Sequence, residues 1–269
     1  MSLILKDRFT RTPLFRRTAV AAALVVAAAS ASALPQFTLD PSKAGLKGTS
    51  FTGDNILISD FSTVLFDGLG SFSDSGFLSV SAIQLGGSTF TPTGLNSDYG
   101  LYFAFSGVGK TTVGDPRLVP TIGTFTSLTY QLYGYNGLAS FGFTGNTPTE
   151  TATGEVLLAS GTLISGNAVT VPTGDGSTFT PSAAAKLNFT VTPGQEAFFA
   201  KPNPFYDIAF AAFTNTTTQV EPFAGGFRIR QGGGAINFAA TTPVPEPETY
   251  ALMLAGLAAV GFVARRRRA

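Results

Sequence analysis

The chain of 269 residues contains no cysteine, no histidine and no tryptophan, and only 12% of it is charged. Each absence removes a class of chemistry. Without cysteine there is no disulfide staple and no thiolate nucleophile. Without histidine no Ser-His-Asp triad can be assembled, and the usual zinc, copper and haem ligand sets go with it. Without tryptophan, ring stacking on a sugar falls to tyrosine. The formal net charge of +1 conceals a division. Five basic residues lie within the first 17 positions and four within the last five, so the stretch 34–243 holds eight basic and thirteen acidic residues, a net of −5. A mildly acidic body lacks the basic face that nucleic acid demands.

Long apolar runs are confined to the two ends. Lys6, Arg8, Arg11, Arg16 and Arg17 precede the apolar stretch Ala19 to Ala29, and Ala31-Ser32-Ala33 follows as a small-residue cleavage pattern. This predicts a Sec signal peptide over residues 1–33, cut by signal peptidase after Ala33, with Ala31 as the alternative position. Arg16-Arg17-Thr18 is a poor twin-arginine match. At the other end stand Val244-Pro245-Glu246-Pro247, a run of fifteen residues from Tyr250 to Ala264, and then Arg265, Arg266, Arg267 and Arg268. As a helix the run is about 22 Å long, short of the roughly 30 Å hydrocarbon core. Tyr250 at one interface and the arginines at the other close part of the gap, and the arginines hold their end in the cytoplasm. Pro245 and Pro247 keep the strip before it extended.

Val244 to Arg268 resembles the PEP-CTERM sorting domain of Gram-negative bacteria: a Pro-Glu-Pro motif, a short span and an arginine cluster, in that order. The resemblance implies recognition by an exosortase, cutting near Pro245-Glu246-Pro247, and a bacterium that makes exopolysaccharide. It implies an inner-membrane intermediate followed by release to the cell surface or extracellular matrix. Blocks in the body are similar to the flocculation-associated PEP-CTERM proteins: Phe37 to Pro41, Ala44 to Leu46, Phe51 to Ile56, Ser97 to Tyr102 and Pro202 to Tyr206. That second resemblance implies an adhesive or structural role in flocs or biofilm and brings no catalytic residues.

Between the ends, β-branched and aromatic runs alternate with Gly, Pro, Asn and Asp. Ile56 to Ile58, Val64 to Phe66, Phe77 to Ile83, Leu101 to Phe105, Phe125 to Tyr135, Glu155 to Ile164, Lys186 to Thr192, Phe205 to Phe213, Gly226 to Arg230 and Ala235 to Ala239 read as strands. Only Ser182 to Lys186 shows weak helical character. Gly86 to Ser97, Thr144 to Thr153 and Pro172 to Ser182 read as loops. The expectation is one all-β domain over residues 34–243, an antiparallel β-sandwich or jelly roll.

Candidate chemistry is thin. Ala104 to Thr111 matches a relaxed phosphate-loop pattern after a strand, but Gly114, Pro116 and Pro120 forbid the helix that would hold the phosphate; Gly107 to Gly109 reads as a turn. Glu150, Glu155, Glu196 and Glu221 are the body's glutamates, and no pair stands in a glycosidase pattern. A Ser-Lys dyad through Lys110, Lys186 or Lys201 has no motif behind it. Asp54, Asp60, Asp67 and Asp74 recur among turns and are the weak calcium candidates, without the tight alternation of a calcium loop; Asp175 reads as a turn residue. Tyr130, Tyr133 and Tyr135 share one strand as a sugar-stacking face or, more simply, as core. The reading is a non-enzymatic exported β protein with no required cofactor; polysaccharide or calcium binding is the alternative, and a glycan-active hydrolase working through paired carboxylates stands behind it.

Overall fold

The computed structural model describes residues 34–241. The signal-peptide positions Ala31 and Ala33, the motif Val244 to Pro247 and the cluster Arg265 to Arg268 lie outside the described residues.

Eight long strands form the body: β3 (Asn55–Phe66), β4 (Ser71–Leu85), β6 (Tyr99–Thr111), β7 (Thr121–Asn136), β10 (Val156–Pro172), β11 (Phe179–Asn188), β13 (Ile208–Thr214) and β15 (Gly226–Ala239). Each pairs antiparallel with the next of these along the chain, and β15 returns to pair with β3, Gly226 opposite Leu65 and Ile236 opposite Ile56. The sheet therefore closes on itself as an up-and-down barrel, leaving no free edge along its wall. The expected sandwich or jelly roll is corrected by this seam. Neither of those architectures pairs the first long strand with the last in one continuous meander.

The short strands decorate the barrel. β1 (Phe37–Leu39) pairs with β2 (Phe51–Gly53), β5 (Ser88–Phe90) with β4, β8 (Phe141–Thr144) with β9 (Thr147–Glu150), β12 (Thr190–Val191) with β10, and β14 (Val220–Phe223) with β15. All three segments read as loops thus carry strand: β5, β9 and, from Phe179, the first residues of β11. Ser182 to Lys186, weakly helical by pattern, lies inside β11, where Ala183 to Ala185 pair with Phe213 to Ala211 on one side and with β10 on the other. Two flanking strands override the helical preference of three alanines.

Alternation along the strands sorts apolar from polar. On β7 the residues Phe125, Leu128, Tyr130 and Leu132 are buried while Thr124, Thr126, Thr129 and Gln131 are exposed. On β3 the inward row runs Ile56, Ile58, Asp60, Ser62, Val64. An apolar lumen with a Ser/Thr-rich outer wall is the reverse of a lipid-facing barrel, so this wall faces water. No helix among the described residues is long and apolar enough to cross a membrane.

Gly107 and Gly109 sit in β6, in extended strand and not in a turn. Their lack of a side chain admits rings: a Cβ on Gly109 would lie 2.4 Å from the Phe72 ring, and one on Gly107 3.3 Å from Phe125. Phe72 and Phe125 meet edge to face at 5.1 Å in that space. With extended backbone through Thr111, the phosphate-loop pattern has no structural counterpart.

The two barrel ends differ. At one, β1, β2 and the segment 192–207 fold across the opening, and Phe37, Phe189, Phe199, Phe205 and Phe238 join in a network of ring contacts between 4.7 and 5.6 Å. This end is stoppered. The other is framed by the β3–β4, β6–β7, β10–β11 and β13–β15 connections, and apolar side chains stand exposed there: Leu69 is 87% accessible, Val113 73%, Leu118 70% and Ile122 62%.

Candidate functional site

The lumen holds polar residues that a packed core would not carry. Asp60, Ser62 and Asn215 are at most 4% exposed, and Asp74 is half-buried with Oδ1 fully enclosed. β3 and β4 bring three of them together. Ser62 lies opposite Gly76, with Asp60 and Asp74 two residues to either side on the inward rows. Gly76 is required: a Cβ there would lie 2.3 Å from the Phe61 carbonyl oxygen and 2.6 Å from Ser62 Cα.

The fourth, Asn215, directly follows β13 and is admitted by β15. A bulge falls between Arg230 and Gly232, Gln231 adopts φ 56°, and Gly232 pairs with Asp60. Asn215 Oδ1 occupies the space a side chain at Gly232 would fill, 2.1 Å from that Cβ position. The bulge and the missing side chain let the carboxamide in beside Asp60.

Asp60 Oδ1, Ser62 Oγ, Asp74 Oδ1 and Asn215 Oδ1 are buried without a hydrogen bond of good geometry in the protein, although the Ser62 hydroxyl lies close enough to both carboxyls to favour their ionised forms. Such atoms are uncommon, since burial without a partner costs about 1–3 kcal/mol each. Burial pushes the Asp60 carboxyl up to about 7, with Ser62 opposing. Burial also holds Asp74 well above the usual carboxylate range, reinforced by the charge of Asp60 and opposed by Ser62. Two carboxyls in one apolar pocket cannot both ionise cheaply, so the pair keeps a proton near neutrality.

Asp60, Asp74 and Asn215 line a cavity of about 100 Å³ whose wall is otherwise mostly apolar, including Phe66, Phe72, Phe125, Leu128, Phe227 and Ile229. It reaches Thr111, Thr121 and Thr170, at the strand ends of the apolar-rimmed mouth.

Of the four calcium candidates the structure unites only Asp60 and Asp74. Asp54 accepts from Gly86 N at 2.6 Å, and Asp67 accepts from Leu69 N and Ser71 N at 2.8 Å each, so both serve turns. No group of three or more acidic residues is placed for a metal among the described residues. Asp175 is a turn residue as expected, accepting from Thr173 Oγ1 at 2.7 Å and Ser177 N at 3.1 Å, and these bonds lower its carboxyl to about 2.

The tyrosines divide between the faces. Tyr130 points into the lumen and donates to Asn188 O at 2.8 Å. Tyr133 and Tyr135 point outward beside Tyr102, with Tyr102 and Tyr133 stacked at 5.4 Å. Tyr102 donates to Glu155, and both Glu150 and Glu155 hold its hydroxyl in the protonated form after the larger effect of burial. Lys110 Nζ donates to Ser71 Oγ at 2.8 Å on the exposed wall, while Lys186 Nζ lies 5.8 Å from the Phe210 ring centroid. Next to the tyrosines, Tyr135, Phe141, Ser79, Ser81 and Asn96 line an outer pocket of about 230 Å³.

The luminal cluster was half-visible in the sequence as aspartates spaced along β3 and β4. Ser62 and Asn215 carried no signal, because the bulge at Gln231 and the closure of the sheet bring them in.

The outer end of the chain supplies the comparison with known proteins. Residues 243–268 match the PEP-CTERM protein-sorting motif. The chain carries an exosortase sorting signal. A PEP-CTERM signal implies export, a membrane-anchored intermediate recognised by exosortase, and then surface localisation. No curated protein and no solved structure matches the chain.

Proposed function

We propose that this protein is a non-catalytic component of the cell surface or extracellular matrix of a Gram-negative bacterium, helping to hold cells and exopolysaccharide together in flocs or biofilm. The PEP-CTERM match over residues 243–268 carries the reading. In this scheme residues 1–33 direct Sec export and are removed after Ala33. The segment Tyr250 to Ala264 holds the chain in the inner membrane with Arg265 to Arg268 inside, and exosortase cuts near Pro245-Glu246-Pro247. An edge-free wall rich in Ser and Thr suits a protein displayed in a hydrated matrix, since it offers no strand for uncontrolled pairing.

Polysaccharide contact is favoured by the outer pocket, where the Phe141 and Tyr135 rings stand beside Ser79, Ser81 and Asn96. An aromatic surface next to hydroxyl and amide groups matches the alternating apolar and polar faces of a sugar ring. The calcium alternative has less to stand on: calcium takes about 6–8 oxygen ligands, and only two of the four aspartates meet.

The test is a clean deletion strain scored for aggregation and matrix retention, complemented with full-length protein and with Phe141→Ala. Loss of aggregation restored by the full-length chain supports the adhesive role. Unchanged aggregation in the deletion strain refutes it.

A further inference from the structure

We propose that the barrel lumen is a binding site for a small organic ammonium ion, an amine bearing a short apolar chain or single ring, which enters through the apolar-rimmed mouth and seats its head on Asp60, Asp74 and Asn215. This goes beyond the surface role above and does not depend on it.

The ligand class follows from what the cavity offers. Its buried oxygens on Asp60, Asp74 and Asn215 are brought to one side by the β3–β4 register and the β15 bulge, with the Ser62 hydroxyl between the two aspartates. The Asn215 amide oxygen and an ionised carboxylate only accept, the proton retained by the pair leaves one carboxyl as a donor, and the hydroxyl of Ser62 does either. A ligand head that complements them must bring several donors. An ammonium group brings three N–H donors and one positive charge. The carboxyl pair retains at least one proton near neutrality, and a monocation seated between its members balances the single negative charge the pair takes on by releasing another.

The rest of the cavity is apolar, with Phe72, Phe125, Phe227, Leu128 and Ile229 on its walls. Its volume of about 100 Å³ is several times the roughly 10–15 Å³ one water requires. A bare divalent metal fits this wall poorly, because it would lose its water to a surface with few oxygens. A neutral hydrocarbon would leave the acceptors unmatched at a cost in each. An ammonium with an apolar substituent satisfies both halves.

Access follows from the rim. Leu69, Val113, Leu118 and Ile122 are exposed at the end where the cavity meets the strand termini, while the opposite end is packed with phenylalanine rings. Exposed apolar side chains around an opening mark a contact surface.

Asp60, Asp74 and Tyr130 are the titratable groups on the cavity wall, and the Tyr130 hydroxyl is engaged with Asn188 O. A bound cation favours the ionised pair, so binding displaces a proton and tightens as pH rises from about 6 to about 8.

The experiment is isothermal titration of the folded protein with benzylamine and n-butylamine. Benzyl alcohol and calcium chloride serve as separate arms, and each titration is repeated in two buffers of different ionisation enthalpy. The expected result is saturable amine binding with proton release, at least about tenfold weaker binding of benzyl alcohol, and at least about tenfold weakening in Asp60→Asn, the loss of one charge-assisted hydrogen bond. Asp60→Asn removes the ionisable carboxyl and keeps the shape, and its melting curve verifies folding. Ala211→Leu fills the lumen from another strand and is expected to abolish binding with Asp60 intact. Three outcomes overturn the proposal: no amine binding up to about 10 mM, a bound free energy weaker than about −3 kcal/mol; equal affinity for amine and alcohol with no effect of Asp60→Asn; or binding of calcium in place of the amine.

Discussion

Asp207 clamps Thr241 through both carboxylate oxygens: Thr241 N donates to Oδ1 at 2.7 Å and Thr241 Oγ1 donates to Oδ2. The bonds hold the Asp207 carboxyl below the usual carboxylate range. They fasten the chain where it leaves β15, at the stoppered end and three residues before the sorting motif begins at Val244.

Asp207→Ala is expected to loosen that exit without unfolding the barrel. Because the clamp is exposed, the loss in global stability should stay under about 1 kcal/mol. Amide exchange at Ala240 and Thr241 should accelerate while Ile236 and Phe238 remain protected. Equal protection in variant and parent would refute the clamp.

Gly76→Ala and Gly100→Ala should differ in whether they can be rescued. A Cβ at Gly76 meets the Phe61 backbone at 2.3 Å, whereas one at Gly100 meets the Tyr135 ring at 2.2 Å. Each is expected to lower stability by about 1–3 kcal/mol or more, the cost of overpacking. Adding Tyr135→Ala should recover part of the loss at Gly100 and none at Gly76. Denaturant melts of the four variants decide it.

The luminal aspartates make stability fall as pH rises. Asp60 has a folded value of about 7 against an ordinary 3.8, so between those limits the folded chain binds more protons than the unfolded one. Its contribution is fully present below about pH 4 and is lost by about pH 7, at most about 4 kcal/mol from this group. Asp74 acts in the same direction. Asp67, Asp115 and Asp175 have lowered values and act oppositely, losing their contribution as pH falls through the acid range. Melting temperature against pH should therefore decline from about pH 4 to about pH 7. Asp60→Asn should flatten that decline; an unchanged slope would count against a buried, protonated Asp60.

Replacing Pro245, Glu246 and Pro247 by alanine is expected to trap the chain before exosortase cutting. Intact mass of the membrane-extracted protein should then include Arg265 to Arg268, and surface protein should fall severalfold. Parent protein recovered from the surface with the arginines still attached would contradict sorting by this signal.

The strands were legible because β-branched and aromatic residues alternate with small polar ones. Phe125 to Tyr135 showed β7, and Leu101 to Phe105 showed a strand buried on both faces, which Tyr102 and Phe103 confirm at 3% exposure each. Closure was not legible. The seam joins Ile56 with Ile236, and nothing local to either residue states that they pair. The break in β7's alternation between Phe125 and Leu128 comes from a bulge opposite Val108 and Gly109, which shifts the phase without a turn residue to announce it. Gly107 and Gly109 looked like punctuation because the rings they accommodate, Phe72 and Phe125, are distant in sequence. The blocks Phe37 to Pro41 and Pro202 to Tyr206 converge at the stoppered end, where Tyr206 Oη donates to Gln36 O at 2.8 Å. Asn215 was silent for the same reason as the seam: its role exists only once Gly232 faces Asp60.

The seam between β3 and β15 also sets a timetable. A meander whose first long strand waits for its last cannot be sealed while the chain is still emerging. Residues 55–66 must linger with one flank unpaired until residues 226–239 arrive. Those latecomers immediately precede the sorting motif, so the container is completed only when the chain has emerged to the doorstep of that motif. Ripening of the vessel and its eligibility for release thus fall at the same moment in the life of the chain.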